Sequence, residues 1–235
     1  MAVKTNVYDI TLERDELTRN IGGGIPKESI VLIEGADGTG KSIIVQRFCY
    51  GLLKNNVSVT YVGTELSTME FVKQMNSLNY PIDDQLLKDK MLYIPMFPYY
   101  GNVKLHPNFI DRLFSAKKLY EKDVIIFDCL SFLIVKDGES KTTVFEIISF
   151  FKRLINMGKT IIFTVDSGHL NDDLLTLIRN ISEVYITTEL HEFAGELIRI
   201  MSIKRFKRSA ESTATKIPFK VEPGEGFVVE IAGMD

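Results

Sequence analysis

Along most of the chain, short and nearly continuous apolar runs alternate with longer stretches whose apolar positions recur every three to four residues. SIVLIE (29–34), VSVTYVGTE (57–65), KMLYIPM (90–96), VIIFD (124–128) and KTIIFTVD (159–166) belong to the first kind. They are too short for helices and too apolar for one-sided strands, which predicts strands covered on both faces. SIIVQRFCYGLLKNN (42–56), STMEFVKQMNSLNY (67–80), NFIDRLFSAKKLYEK (108–122), TTVFEIISFFKRLINMG (142–158) and DDLLTLIRNI (172–181) carry helical spacing. Asn55-Asn56 and Pro81 read as stops. Such alternation predicts an α/β fold, a mostly parallel sheet with helices on both faces. From Val184 onward the pattern is strand-rich: VYITTEL, GELIRIMSIKRFK, then IPFKV and GFVVEIA around Glu222–Gly226. That predicts an antiparallel extension ending in a C-terminal hairpin.

No linker, low-complexity segment or internal repeat interrupts this order, so residues 1–235 read as one domain. Hydrophobic residues make up 45% and charged ones 25%, enough for a sizeable core, and the net charge of −3 points to neither nucleic acid nor an anionic membrane. Cys49 and Cys129 lie inside apolar runs, eighty positions apart, and read as buried, reduced thiols of a cytosolic protein. The N-terminal stretch lacks the apolar core of a secretion signal. The longest apolar run, Val124 to Val135, contains Asp128 and is too short to cross a bilayer, so membrane association is expected only through partners. His106, His169 and His191 show no metal spacing, and the aromatic stretch Met96–Gly101 reads equally as packing, base stacking or a partner contact.

The chemistry begins at Gly35-Ala-Asp-Gly-Thr-Gly-Lys41-Ser42, which fits G-x-x-x-x-G-K-[ST] between a strand and a helix. Glycines let backbone amides approach phosphate without obstruction, and the helix N-terminus favours negative charge. Gly38, Thr39 and Gly40 are therefore candidate phosphate contacts. Lys41 is expected to reach the β- and γ-phosphates of a nucleotide, and the Ser42 hydroxyl to ligate Mg²⁺. Asp37 would repel phosphate and is expected to face solvent or a neighbouring subunit.

The residues ahead of this loop narrow the match. Asp15-Glu-Leu-Thr-Arg-Asn-Ile-Gly-Gly-Gly-Ile-Pro26 followed by Val31-Leu-Ile-Glu-Gly35 resembles the D-x-L…G-G-G-[IL]-P…L-I-x-G pattern of the KaiC-like branch of the RecA superfamily. Within that branch the chain is most similar, nearly end to end, to the single-domain ATP-binding component of the archaellum (archaeal motility filament) motor. The resemblance implies a RecA-like fold and ATP with Mg²⁺ held between subunits of a ring, hexameric in expectation. It also implies docking on the motor ATPase and the cytoplasmic ring scaffold, at the cytoplasmic face of the membrane.

Asp128, closing the strand VIIFD, is similar to the Walker B aspartate, which holds Mg²⁺ through water; a turn-capping role is the alternative. Glu65, ending Val62-Gly-Thr-Glu65, stands where RecA-like proteins place the glutamate that activates water. Its alternative is a helix cap ahead of Ser67. Asp166 and Ser167 resemble a γ-phosphate sensor, and His169 after that strand reads as a surface loop residue, with an approach to phosphate as the alternative. KaiC-type proteins supply cations to the neighbouring site through K-x-R on a late strand. Here Lys204, Lys207 and Arg208 are the trans-acting candidates, without that spacing. Strand alternation sets Lys204, Phe206 and Arg208 on one face, and a charged strand edge is the alternative reading. A trans cation controls about 10³–10⁵ in rate, so binding with weak or no hydrolysis is expected. A DNA-handling recombinase and a free-standing KaiC-like signalling ATPase are the competing functions. The acidic net charge opposes the first, and the single Glu at 65 the second.

Overall fold

The computed structural model describes residues 6–13, 15–96, 109–137, 140–193 and 195–230. Strand β1 (Val7–Tyr8) pairs antiparallel with β2 (Ile25–Pro26) around the short helix α1 (Leu17–Asn20). Then come β3 (Ile30–Gly35), α2 (Lys41–Lys54), β4 (Val59–Gly63), α3 (Thr68–Ser77), α4 (Asp83–Leu87) and β5 (Met91–Pro95). Helix α5 (Phe109–Ser115), β6 (Val124–Asp128), α6 (Leu130–Asp137), α7 (Lys141–Asn156), β7 (Thr160–Asp166) and α8 (Asp172–Ile181) follow. Strands β8 (Val184–Phe193), β9 (Glu196–Phe206), β10 (Lys216–Glu222) and β11 (Gly226–Val229) complete the chain.

The large sheet has the order β11-β10-β9-β8-β3-β7-β6-β4-β5. From β8 to β5 every pairing is parallel, and β9, β10 and β11 add on antiparallel, as the sequence pattern predicts. The unbroken apolar runs are explained by burial on both sides. Along β3, Val31 and Ile33 enter one core with Phe48 of α2, while Ile30 and Leu32 enter a second with Phe151 of α7. Strand β6 divides likewise, Ile126 to the first and Phe127 to the second. Cys49 and Cys129 are buried free thiols.

Three departures have local causes. The stretch read as one helix over 108–122 stops at Ser115 and continues after Ala116 as a 3₁₀ turn, Lys117–Tyr120. The break lets the adjacent side chains Leu119 and Tyr120 both bury, and the Tyr120 hydroxyl donates to the Leu113 carbonyl at 2.9 Å. The apolar run 124–135 is two elements, since β6 ends at Asp128 and α6 starts two residues later with no capping signal. The short elements β1, α1, β2 and α4 are too brief for any periodicity to announce. The aromatic stretch after Met96 and His106 lie outside the described residues. No helix among the described residues is long and apolar enough to cross a membrane.

The segment before β3 is fastened to α2. The Arg47 guanidinium donates from Nε to Asp15 Oδ2 at 2.5 Å, from Nη2 to Asp15 Oδ1 at 2.7 Å, and from Nη1 to the Ile10 carbonyl at 3.0 Å. The two side chains are 0% and 1% exposed, so Asp15 of the D-x-L pattern is a structural counter-ion. Gly24, at φ +137, lies where a Cβ would come within 2.2 Å of the Tyr8 carbonyl oxygen; the triple glycine includes a position only glycine fits.

Candidate functional site

At the carboxyl edge of β3 the chain turns through residues 36–40 and enters α2 at Lys41. Gly40, at φ +95, sits at the helix N-cap in the left-handed region. A Cβ there would lie 2.9 Å from Phe219 Cζ and 3.1 Å from Arg199 Cδ, so the antiparallel extension closes directly over the loop. Between loop and extension lies a cleft of about 320 Å³. It is lined by Asp37, Gly38, Gly40, Lys41, Ser42 and Ile43 of the loop and helix, by Glu65 just past β4, by Asp128 and Asp166 at the ends of β6 and β7, and by Arg199 and Val221 of the extension.

Lys41 is buried, and its Nζ donates to the Ala36 carbonyl at 2.6 Å and to Asp166 Oδ2 at 3.2 Å. Thr39 differs from its neighbours. Its hydroxyl donates to the Ala36 carbonyl and lies 2.7 Å from Thr188 Oγ1, so this side chain braces the loop rather than lining the cleft. Asp37 is exposed, and its Oδ1 accepts from the Gly38 amide at 2.8 Å.

Asp128 gathers three hydroxyls. Ser42 Oγ donates to Oδ1 at 3.2 Å, Thr164 Oγ1 to Oδ1 at 2.6 Å, and Tyr61 OH to Oδ2 at 2.7 Å. The carboxylate is thus committed to side chains of β4, β7 and α2, and no described contact gives it a turn-capping role. Burial, and then the adjacent Asp128 charge, push the Tyr61 phenol well above its ordinary value, which keeps it a donor. Among the described residues no three His, Cys, Asp or Glu converge on one point. Ser42 and Asp128 therefore fit only a cation that keeps water and phosphate oxygens as its other ligands, the habit of Mg²⁺.

Glu65 lies in the same cleft, just past β4, and makes no hydrogen bond or ion pair among the described residues. It does not cap α3. Ser67 does, accepting from the Glu70 amide at 3.3 Å while Glu70 accepts from the Ser67 amide at 2.9 Å. Partial burial, then the charges of Asp128 and Asp37, raise the Glu65 carboxyl above its ordinary range, against the opposing pull of Lys41 and His169. Asp166 moves the other way. Burial pushes it up, but the Gly168 amide, Lys41 and His169 together outweigh that and hold it low. His169 also lines the cleft, its Nδ1 3.3 Å from Ser131 Oγ. Ser167 does not; it lines a separate groove behind the loop.

The late basic residues are elsewhere. Gly35 pairs with Thr188 and Thr188 with Met201, whereas Val184, at the opposite edge, pairs with Phe206. Lys204, Lys207 and Arg208 therefore lie at the amino edge of the sheet, away from their own chain's loop. The expected alternation fails as well. A bulge opposite Tyr185/Ile186 leaves Lys204 without a cross-strand partner, the strand ends at Phe206, and Arg208 sits at φ +61, donating to the Glu28 carbonyl. Arg205 donates to the Arg179 and Ser182 carbonyls at 2.7 and 3.0 Å. The basic residue that does reach the cleft, Arg199, was not among the sequence candidates. Its signal was position: two residues from Met201, on the same strand face and one step past the loop edge.

Comparison with known proteins agrees with this arrangement. The family described as the KaiC ATPase matches residues 12–232. The archaeal flagellar ATP-binding protein FlaH of Methanocaldococcus jannaschii is 45% identical over 96% of this chain and 96% of its own. A crystal structure of the flagellar accessory protein FlaH from the same organism superposes with a TM-score of 0.91 at 45% identity, covering 96% of this chain and 100% of that one. A KaiC-like protein from Pyrococcus horikoshii superposes with a TM-score of 0.72 at 20% identity, over 95% and 99% of the two chains, and speaks for the fold alone.

Proposed function

Because the chain belongs to the KaiC family of ATPases, and within it to the FlaH group, we propose that it is the ATP-binding regulatory subunit of an archaellum motor. The observation that carries the binding half is the convergence of Lys41, Ser42 and Asp128 in one cleft at a helix N-terminus, with the Ser42 hydroxyl 3.2 Å from the Asp128 carboxylate. In this reading Gly38, Gly40 and Lys41 hold the phosphates, and Ser42 with Asp128 holds Mg²⁺, which would neutralise phosphate charge. The four carboxylates around the cleft favour a cation arriving with the nucleotide.

Turnover is proposed to be slow or absent in the isolated protein. Glu65 is the candidate base, a raised carboxyl with no hydrogen bond or ion pair among the described residues. The cations of the late strand, Lys204, Lys207 and Arg208, reach a cleft only as donors to a neighbouring copy. A ring, hexameric by the resemblance, would bring them there. Assembly on ATP would then create a platform for the motor ATPase and the cytoplasmic ring scaffold, at the cytoplasmic face of the membrane and attached to it only through those partners.

The test is calorimetric titration with Mg-ATP. Lys41→Ala is expected to lose tenfold or more in affinity, at least about 1.4 kcal/mol, while remaining folded. A folded Lys41→Ala protein with unchanged affinity refutes the site. Association with the motor ATPase, measured with and without Mg-ATP, tests the regulatory half; equal association in both conditions refutes it.

A further inference from the structure

We infer that Arg199 is a phosphate-binding residue acting within its own chain, a second cation beside Lys41 in the cleft. The inference rests on reading the cleft as a nucleoside polyphosphate site. Strand register places the residue. Met201 is level with Thr188 and Gly35, so Arg199, two positions on, projects past the sheet edge over the loop. Its Cδ lies 3.1 Å from the point a Cβ on Gly40 would occupy, which fixes the stem against the N-cap of α2. The ring beside it, Phe219, is its cross-strand partner and is itself stacked on Phe227 with centroids 4.6 Å apart. Strand β11 is held in turn by the Phe227 amide, which donates to the Tyr80 hydroxyl at 2.8 Å. The side chain thus stands on a fixed platform.

Four carboxylates line the same cleft, but none of them contacts Arg199 among the described interactions. Arg199 is half-buried and lines the cleft, yet its guanidinium makes no hydrogen bond or ion pair among the described residues. The other cleft cation, Lys41, is already engaged by Asp166. An anion entering the cleft meets one cation with a partner and one without a hydrogen bond or ion pair among the described residues. Phosphate matches the planar fork of donors, and the α2 N-terminus supplies further donors beneath it.

The experiment is titration of the full chain with Mg-ATP and, separately, with inorganic triphosphate plus Mg²⁺. Variants are Arg199→Gln, which keeps a stem over Gly40 without the charge, and Arg199→Lys; Lys41→Ala is the control. Arg199→Gln is expected to lose tenfold or more in affinity for both ligands with an unchanged melting temperature, and Arg199→Lys to recover part of it. If Arg199→Gln binds both ligands like the wild type while Lys41→Ala loses affinity, the inference falls and the loop site stands. If Arg199→Gln loses ATP but keeps triphosphate, Arg199 serves the base or ribose, and the phosphate assignment falls. If the wild type binds neither ligand, the site itself falls and the inference with it.

Discussion

Removing one partner of the buried Arg47–Asp15 pair should cost a large share of the stability of the fold. Arg47→Met keeps the length of the side chain and removes the cation, leaving a carboxylate whose side chain is 1% exposed with only the Leu17 amide, 3.2 Å away, as a described partner. Breaking such a pair from one side costs about 3–5 kcal/mol. Domains are stable by about 5–15 kcal/mol, so roughly a fifth or more of the total is at stake. With a urea slope of about 2–3 kcal/mol per molar, the midpoint should fall by roughly 1–2.5 M. Asp15→Leu strands the guanidinium instead and should cost a similar amount. The double variant removes both buried charges together, so it should cost less than the sum of the singles by about 2 kcal/mol or more. Far-UV circular dichroism is the appropriate probe, since the chain has no tryptophan. Single variants within about 1 kcal/mol of wild type, or strictly additive costs, would refute the claim that this pair is a dry, coupled clamp.

Two further outcomes are expected. Glu65→Gln should leave Mg-ATP affinity nearly unchanged and abolish any phosphate release. Because the folded-state Glu65 carboxyl is raised, ionising it opposes folding. The substitution should therefore raise the melting temperature at neutral pH and lose that advantage below the unfolded value of about 4.3. A neutral-pH melt below wild type contradicts the assignment, as does turnover near 10 s⁻¹ that survives the change. Mg-ATP should also increase the mass measured by light scattering, because a ligand shared between copies favours the assembled state; an unchanged monomer mass at saturation rules out the ring.

What the sequence made legible was local. The G-x-x-x-x-G-K-[ST] loop announces itself in eight consecutive residues, and the central strands announce double-sided burial because their apolar residues divide between the two cores. Asp128 was identifiable at a strand end, but its three hydroxyl partners come from positions 42, 61 and 164, and no spacing rule joins those. Arg199 stayed hidden for a related reason. It is one basic residue inside an apolar strand, and its importance depends on antiparallel register against β8 and β10. Lys204 to Arg208 drew attention by density of charge, yet a one-residue bulge and an early strand end undid the face assignment that alternation gave them. The Glu65 alternative was settled by the neighbouring Ser67–Glu70 capping box, which was itself visible as S-x-x-E.

The wall formed by Arg199, Phe219 and Val221 also sets an order in time. The phosphate loop and its helix lie within the first quarter of the chain, while their cover lies in the last. During synthesis from the N-terminus, the loop exists long before anything can close over it. A nascent chain can form strand, loop and helix, yet its cleft stays open on one side until the final strands arrive and dock on Tyr80. On the proposed reading of the cleft, nucleotide affinity would stay low in any fragment that stops before β9 to β11.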